Sequence, residues 1–422
     1  MTADTRAHSS PPKKTGRRPA SGGVAAQGSQ AIGSFVLQLL AARLLGLDAL
    51  GRFAMVFSLI VLATAVSSGF VGDSLTVLDR AASHIRAALQ TWAIVIASGF
   101  ALLFALGSGT LGFLAWNDSI LFGLATTAFV LEDLIRRLLM STLHFWRIVI
   151  VDVVALLGAL TYFATITVAG SITFGQILAA LAVGQTAAIV AGVALLPGAE
   201  RFAVRPSAVG LRDVAAYGIW RSLQQAVRAA TMAVMRVLLL TTVTATAVGE
   251  LELARIYLAP AALGVVGISS YLFASFARAR ACGSLEEMLH FADRAVVKLF
   301  FAVSVLGALA LLAVPIVGPV LTDGETDLSL LAVAGWAALA STTALVTPYG
   351  QLASVHGRQR SVFAIRLTES IASLAVMYVA VAATDSAMWA PVALAVCSLP
   401  SGWAIRKLLI VNQIRSKQPQ DA

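Results

Sequence analysis

Charged residues are scarce in this chain: only 12% of its 422 residues are Asp, Glu, Lys or Arg. Soluble domains carry about 25% charged residues, whereas here 59% of the residues are hydrophobic and the mean hydropathy is +0.86. This composition excludes an ordinary soluble globular protein and predicts an integral membrane protein. The alternating ten-residue strands of a membrane β-barrel are also absent from the sequence, so the spanning segments are expected to be helices.

Cysteine and the short motifs of enzyme chemistry are equally sparse. The two cysteines, Cys282 and Cys397, are too few for a disulfide framework or a metal site. The sequence contains no phosphate-binding P-loop, no H-E-x-x-H zinc motif and no G-x-S-x-G nucleophile motif. Apolar segments use nearly the whole chain, which leaves no room for a soluble catalytic domain. We therefore predict that the protein is not an enzyme, with no catalytic residue, no cofactor and no bound metal.

Twelve apolar segments are long enough to cross a bilayer, which takes about 20 residues per helix. Most of the 30 lysines and arginines then fall on one side of the membrane, and the positive-inside rule makes that side cytoplasmic. The predicted fold is an all-α integral membrane protein with twelve transmembrane helices in two six-helix lobes and both termini cytoplasmic. The net charge of +9 reflects this topology and attraction to anionic lipids, and does not indicate a nucleic-acid partner.

The predicted domain boundaries follow from these spans. Residues 1–22, which are basic and rich in Pro, Ser and Gly, are expected to form a disordered cytoplasmic tail. Spans one to six form an N-lobe at 23–212, spans seven to twelve form a C-lobe at 213–413, and 414–422 form a C-terminal cytoplasmic tail. The predicted spans are 25–47, 50–72, 88–110, 119–141, 148–169, 174–196, 214–240, 249–275, 296–320, 328–352, 362–383 and 387–411.

Three arginines lie inside the seventh predicted span, at intervals of seven and eight residues: Arg221, Arg228 and Arg236. At about 100° per residue, they fall within a sector of roughly 60–80° on one helix face. An arginine at bilayer depth costs at least about 2.5–3.5 kcal/mol, so such residues usually face a wet cavity or a charged partner. A line of fixed positive charge along a cavity is what a membrane protein that handles an anion needs.

The alternative for each arginine is an ion pair with an acid on its own or a neighbouring helix. Arg255 lies three residues after Glu252 and can pair with it locally, and Arg221 is close enough to the membrane edge to extend into the interface. No acid in the same helix reaches Arg228 or Arg236. These two are therefore the main candidates for binding an anionic substrate, with Arg221 and Arg255 as further candidates.

The two halves of the sequence align when one is shifted by 198 residues. Because each half has an even number of spans, such a repeat is parallel, and the binding site is expected between the halves. Gln30, Gln38 and Gln225 then become candidate substrate contacts, although hydrogen bonds between helices explain each of them equally well. The shift superposes Gly51 on Gly249, Gln27 on Gln225, Gln30 on Arg228 and Gln38 on Arg236.

Three segments resemble the Wzx-type polysaccharide flippases of the multidrug/oligosaccharidyl-lipid/polysaccharide (MOP) superfamily. Arg43 to Phe53 matches their R-L-L-G-x-x-x-x-G-x-[FY] turn between the first two helices. The fourth span ends in the pair Arg136 and Arg137, and AAYGIW stands at the start of the seventh span. The resemblance implies two six-helix lobes around a central cavity, moving a lipid-linked glycan across a bacterial plasma membrane.

The resemblance and the arginines together favour a flippase that moves a polyprenyl-diphosphate-linked saccharide from the inner to the outer leaflet by alternating access. Its expected partners are this substrate and the lipid bilayer, with glycosyltransferases or a polymerase of the same pathway as candidates. Two alternatives stay open. A drug/cation antiporter of the same superfamily needs membrane-embedded carboxylates, and the first and seventh spans contain none. A non-transporting scaffold for cell-envelope synthesis would leave export unchanged when it is depleted.

Overall fold

The computed structural model describes residues 18–78, 82–142, 144–169, 172–198, 207–259, 285–321, 328–355 and 359–417. These ranges form twelve long helices and contain no strand. Residues 1–17 of the predicted tail at 1–22, residues 418–422 of the predicted tail at 414–422, and the part of the eighth predicted span after residue 259 lie outside them. The first helix begins at Arg18, inside the segment 1–22 that was expected to be disordered.

The first two helices are the arms of one helical segment, Arg18–Ser67, which breaks at Gly46. Gly46 has φ 72° and ψ 171°, a left-handed conformation that favours glycine, so the R-L-L-G motif does form a turn. We label the arms α1 (18–45) and α2 (47–67); a π-helical turn, Ser68–Gly72, extends α2. The other helices are α3 Ser83–Thr110, α4 Trp116–Ser141, α5 Phe145–Ala169, α6 Phe174–Leu195, α7 Ala208–Thr242, α8 245–259, α9 Leu285–Leu321, α10 Leu330–Val355, α11 Gln359–Thr384 and α12 Ala390–Lys417.

Nine helices of the described ranges are long and apolar enough to cross a membrane. The other three are α1 and α4, which carry many polar or charged side chains, and α8, which is described only to residue 259. The prediction of an all-α, multi-pass membrane protein with twelve helices is confirmed.

The two halves of the chain pack together at one end of the bundle. We call this end, where Gly46 lies, the distal end, and the opposite end, where α1 begins and α12 ends, the terminal end. At the distal end one apolar cluster contains Phe53 and Ile177 of the first half together with Leu239 and Val248 of the second. At the terminal end the two halves have separate clusters, except that the start of α7 packs with the first half. The two halves are therefore joined mainly at the distal end and through α7, and we call the space between them toward the terminal end the cleft.

Each half is tied internally by a buried or half-buried ion pair near the terminal end. In the first half, Arg136 Nε on α4 lies 2.9 Å from Asp152 Oδ1 on α5, and both side chains are buried. In the second half, Arg406 on α12 holds Asp293 on α9 through two contacts of 2.9 and 3.0 Å. Because both pairs join helices of one half, each half can keep its packing while the two halves move.

One wall of the cleft is formed by α2 and α7, whose backbones approach closely. A Cβ on Gly69 would lie 2.7 Å from the carbonyl oxygen of Arg221, and a Cβ on Gly218 would lie 2.7 Å from that of Phe70. Small residues allow membrane helices to pack at this distance. The two halves are thus in direct backbone contact along this wall.

A second backbone contact, between α2 and α8, closes the distal end. A Cβ on Gly51 would overlap the carbonyl oxygen of Ala245, and a Cβ on Gly249 would overlap the carbonyl oxygen of Leu47. Leu47 and Ala245 are 198 residues apart, as are Gly51 and Gly249. The two glycines are therefore equivalent under the shift found in the sequence, and so are the two carbonyl oxygens that they approach. This is expected for two repeats that meet at a local twofold axis. We call this backbone contact the glycine contact.

Candidate functional site

Arg228 on α7 is exposed, and its position on the helix shows what it is exposed to. The exposed apolar residues of α7 include Ile219 (55%), Leu223 (47%) and Val234 (42%), which mark the lipid-facing side. At 100° per residue, Arg228 lies about 120–180° around the helix from them. Its guanidinium group therefore faces the cleft between the halves and not the lipid. Within the described ranges it has no hydrogen bond and no ion pair.

Two charged side chains of α11 lie close enough to Arg228 to interact with it electrostatically, Arg366 and Glu369. Arg366 Nη1 is 3.1 Å from Glu369 Oε2, and the two side chains are 31% and 13% exposed. One carboxylate thus faces two guanidinium groups, and this part of the cleft has a net positive charge. Sequence reasoning did not identify Arg366, because nothing in the sequence shows that α11 packs beside α7.

Gln30 and Gln225 are exposed toward the same space. Gln225 lies about 160° around α7 from the exposed Leu223, and Gln30 lies about 160° around α1 from Ile32, which is 58% exposed. Neither amide is hydrogen-bonded within the described part of the chain. The cleft therefore presents an unpaired arginine with a free amide side chain from each half.

Arg236 lies deeper, at the distal end, and is paired. It is 6% exposed, and its Nε lies 2.7 Å from Glu252 Oε1 on α8. Glu252 Oε2 lies 2.5 Å from Arg255 Nε, as the i,i+3 spacing predicted. Arg255 Nη2 donates a hydrogen bond to Gln38 Oε1 on α1. We call these four residues the distal network.

The distal network lies where the cleft ends, at the distal end of the bundle. It borders a cavity of about 20 Å³, which is also lined by Leu50, Phe53 and Phe57. That volume holds about one water molecule, so no substrate fits there in this conformation. The bond from Gln38 to Arg255 joins α1 of the first half to α8 of the second and must break if the distal end opens.

Arg221 is also paired, with Asp73 at the end of α2. Its Nε and Nη2 lie 2.8 and 2.6 Å from Asp73 Oδ2, and its Nη1 donates to Gln224 Oε1 at 3.1 Å. The pair joins the first half to α7 along the wall where Gly69 and Gly218 lie. Arg221 thus links the two halves in this conformation.

The structure therefore separates the predicted site residues into three groups. Arg228, Gln30 and Gln225 share the cleft, whereas Arg236, Arg255 and Gln38 belong to the distal network, and Arg221 pairs with Asp73.

The pairing of Arg236 could have been found from the sequence. Arg236 and Glu252 stand at nearly equal distances from the turn at 243–244, so an antiparallel helix pair places them at one depth.

Replacing Glu252 by glutamine is expected to destabilise the protein strongly. The change leaves two arginines at membrane depth without their acid, and breaking a buried ion pair costs about 3–5 kcal/mol. Thermal unfolding of the detergent-solubilised protein measures the effect, with Glu250→Gln on the same helix as the matched control. Equal melting temperatures for the two variants would show that the distal network does not stabilise this conformation.

Exchanging the charges of Asp73 and Arg221 tests whether this pair links the two halves. Asp73→Arg alone places two cations together, and we expect thermal unfolding in detergent to show a loss of up to about 1 kcal/mol in stability, the contribution of a partly exposed pair. The double variant D73R/R221D restores the pair and should recover most of the loss. If the double variant is no more stable than Asp73→Arg, the ion pair does not stabilise this conformation.

No protein-family model and no curated protein matches this sequence, but solved structures do. An inward-facing multidrug-resistance MATE family transporter of the MOP superfamily superposes with a TM-score of 0.76 at 12% identity, over 93% of this chain and 96% of that one. An outward-facing structure of a multidrug-resistance MATE family transporter of the MOP superfamily gives a TM-score of 0.65 at 12% identity, over 95% of this chain and 97% of that one. A MOP superfamily transporter from Pyrococcus furiosus, whose binding pocket has reverse polarity, gives 0.66 at 12% identity, over 95% and 97%.

These similarities show that the chain has the fold of MATE and other MOP transporters. The superposition is better on the inward-facing than on the outward-facing structure, which agrees with a bundle closed at one end and open at the other. The three structures named above are those of transporters.

Proposed function

We propose that this protein is a membrane transporter that moves an anionic, lipid-linked saccharide by alternating access. The observation that carries the proposal is Arg228, a cation exposed in the cleft with neither a hydrogen bond nor an ion pair within the described ranges. An unpaired charge inside a membrane is costly and is usually a functional group. A bound anion would supply the missing partner.

The chemistry of the cleft suits a polyprenyl-diphosphate-linked sugar. An arginine fork makes paired, charge-assisted hydrogen bonds to phosphate oxygens. Gln30 and Gln225 carry both donors and acceptors, which can contact sugar hydroxyls. The polyprenyl chain would stay in the lipid while the headgroup occupies the cleft.

The open terminal end supports loading from the cytoplasmic side of a bacterial plasma membrane. The positive-inside rule places the chain termini in the cytoplasm, so the terminal end would open inward. Export of two negative charges across the full field of an inside-negative membrane gains about 4–5 kcal/mol per 100 mV. The glycosyltransferases or polymerase of the same pathway would act before and after this step.

A drug/cation antiporter is the second candidate, because MATE transporters share this fold. Such a protein would bind a cation in the cleft and would need a free carboxylate there. Glu369 is the acid beside Arg228, and it is paired with Arg366. The net positive charge of this region favours an anion.

Depletion of the protein in its native cell tests the proposal. A flippase predicts that lipid-linked saccharide precursors accumulate in the cytoplasmic leaflet, measured by mass spectrometry of lipid extracts and by accessibility to an added impermeant enzyme. Unchanged precursor levels with increased sensitivity to cationic drugs would replace the proposal with the antiporter. Unchanged levels without drug sensitivity would leave only the scaffold.

A further inference from the structure

We propose that Arg366 of α11, oriented by Glu369, is a second arginine of the anion site and binds a diphosphate group together with Arg228. The inference rests on the proposed function for the identity of the anion. It assigns the site to a pair of helices, α7 and α11, that belong to the same half of the chain.

The geometry gives Arg366 both a fixed position and free hydrogen-bond donors. Its Nη1 is held 3.1 Å from Glu369 Oε2, and the side chain is still 31% exposed. An arginine has five N–H donors, so the contact with Glu369 leaves donors for a ligand. Its guanidinium also packs against α10, where a Cβ added at Gly350 would lie 3.6 Å from Nη2. These contacts hold the planar group in place before a ligand arrives.

Two guanidinium groups suit a diphosphate better than a single phosphate. Arg228 and Arg366 come from neighbouring parallel helices and interact unfavourably with each other. Two like charges in a membrane cleft are stabilised when an anion of charge −2 or −3 lies between them. Each phosphate of a diphosphate can then accept hydrogen bonds from one arginine.

Glu369 has two opposing effects in this arrangement. It orients Arg366, and its negative charge also competes with the ligand for both arginines. Because the net charge of the three residues is positive, removing the carboxylate should strengthen attraction for the anion. The site therefore predicts opposite effects for two neighbouring substitutions, weaker binding in Arg366→Gln and tighter binding in Glu369→Gln.

Binding of farnesyl diphosphate to the purified full-length protein in detergent tests this assignment. We expect Arg228→Gln and Arg366→Gln each to weaken binding by at least about tenfold, since a charge-assisted hydrogen bond to phosphate is lost. Glu369→Gln should tighten binding by several-fold. Arg212→Gln is the matched control, because Arg212 is an exposed arginine about 180° around α7 from Arg221. Farnesol, which has no phosphate, should bind all variants alike.

The outcomes separate this inference from the proposed function. Wild-type affinity in Arg366→Gln, with weakened binding in Arg228→Gln, would remove Arg366 from the site. Weaker binding in Glu369→Gln would also overturn the arrangement, provided that its thermal unfolding matches the wild type. If all variants behave as expected but depletion leaves lipid-linked precursors unchanged, the diphosphate site stands and the flippase function fails. Displacement by inorganic diphosphate at similar concentration would assign the site to a soluble anion, and its failure to compete would assign it to the lipid-linked form.

Discussion

On the proposed function, an Arg228→Gln variant is expected to insert and fold normally and to export at a rate at least about tenfold below that of the wild type. Glutamine keeps part of the hydrogen-bonding capacity but removes the charge, and a charge-assisted hydrogen bond contributes about 1.5–3 kcal/mol. Arg228 has no ion-pair partner within the described ranges, so the change leaves no acid without its partner. The loss should therefore appear in transport and not in stability.

The measurement is complementation of depleted cells, with precursor accumulation as the readout and the amount of protein in the membrane fraction determined in parallel. Arg212→Gln on the same helix should export at the wild-type rate. Arg236→Gln makes an informative contrast, because it breaks the pair with Glu252 and should lower the melting temperature. Export by Arg228→Gln at the wild-type rate would remove the central support for an anion site in the cleft.

A Gly249→Val variant is expected to shift the protein toward a conformation with an open distal end and to stop transport. The added side chain would overlap the carbonyl oxygen of Leu47, and backbone atoms cannot move aside as a flexible side chain does. Overpacking of this kind costs typically about 1–3 kcal/mol, which changes the ratio of closed to open molecules by about 5- to 150-fold. By the local symmetry, Gly51→Val should produce the same shift.

Spin labels at the distal end measure this shift directly. Labels on Asp48→Cys and Thr242→Cys, both at exposed positions, report the separation of α2 and α7 in a background where the two native cysteines are replaced by serine. Gly99→Val is the control, since a Cβ there meets nothing within 4 Å, and it should leave the distance distribution unchanged. An unaltered distribution in Gly249→Val would contradict the prediction and show that the glycine contact does not hold the distal end closed.

The arrangement of helices was predictable because it depends on local sequence. Apolar length predicted the spanning helices, and the R-L-L-G motif predicted the turn at Gly46. The shift of 198 residues predicted that Gly51 and Gly249 are equivalent, and the glycine contact shows how they are related in space. The periodicity of α7 also predicted that Arg228 lies on a face away from the lipid.

The partners of the charged residues were harder to predict, because they depend on how the helices pack. Asp73 and Arg221 are 148 residues apart, and nothing local in the sequence relates them. Glu252 was assigned to Arg255 alone, although a carboxylate has two oxygens and the second binds Arg236. Arg366 was not considered for the same reason, since its position beside Arg228 depends on the packing of α11 against α7.

The glycine contact closes the distal end through backbone atoms. Its interacting atoms are carbonyl oxygens and α-carbons, which every amino acid has, so no particular side chain has to be retained around it. What the contact requires is two positions that stay without a side chain. A closure encoded in this way tolerates extensive substitution in the surrounding helices, and a single methyl group at either position would be enough to disturb it.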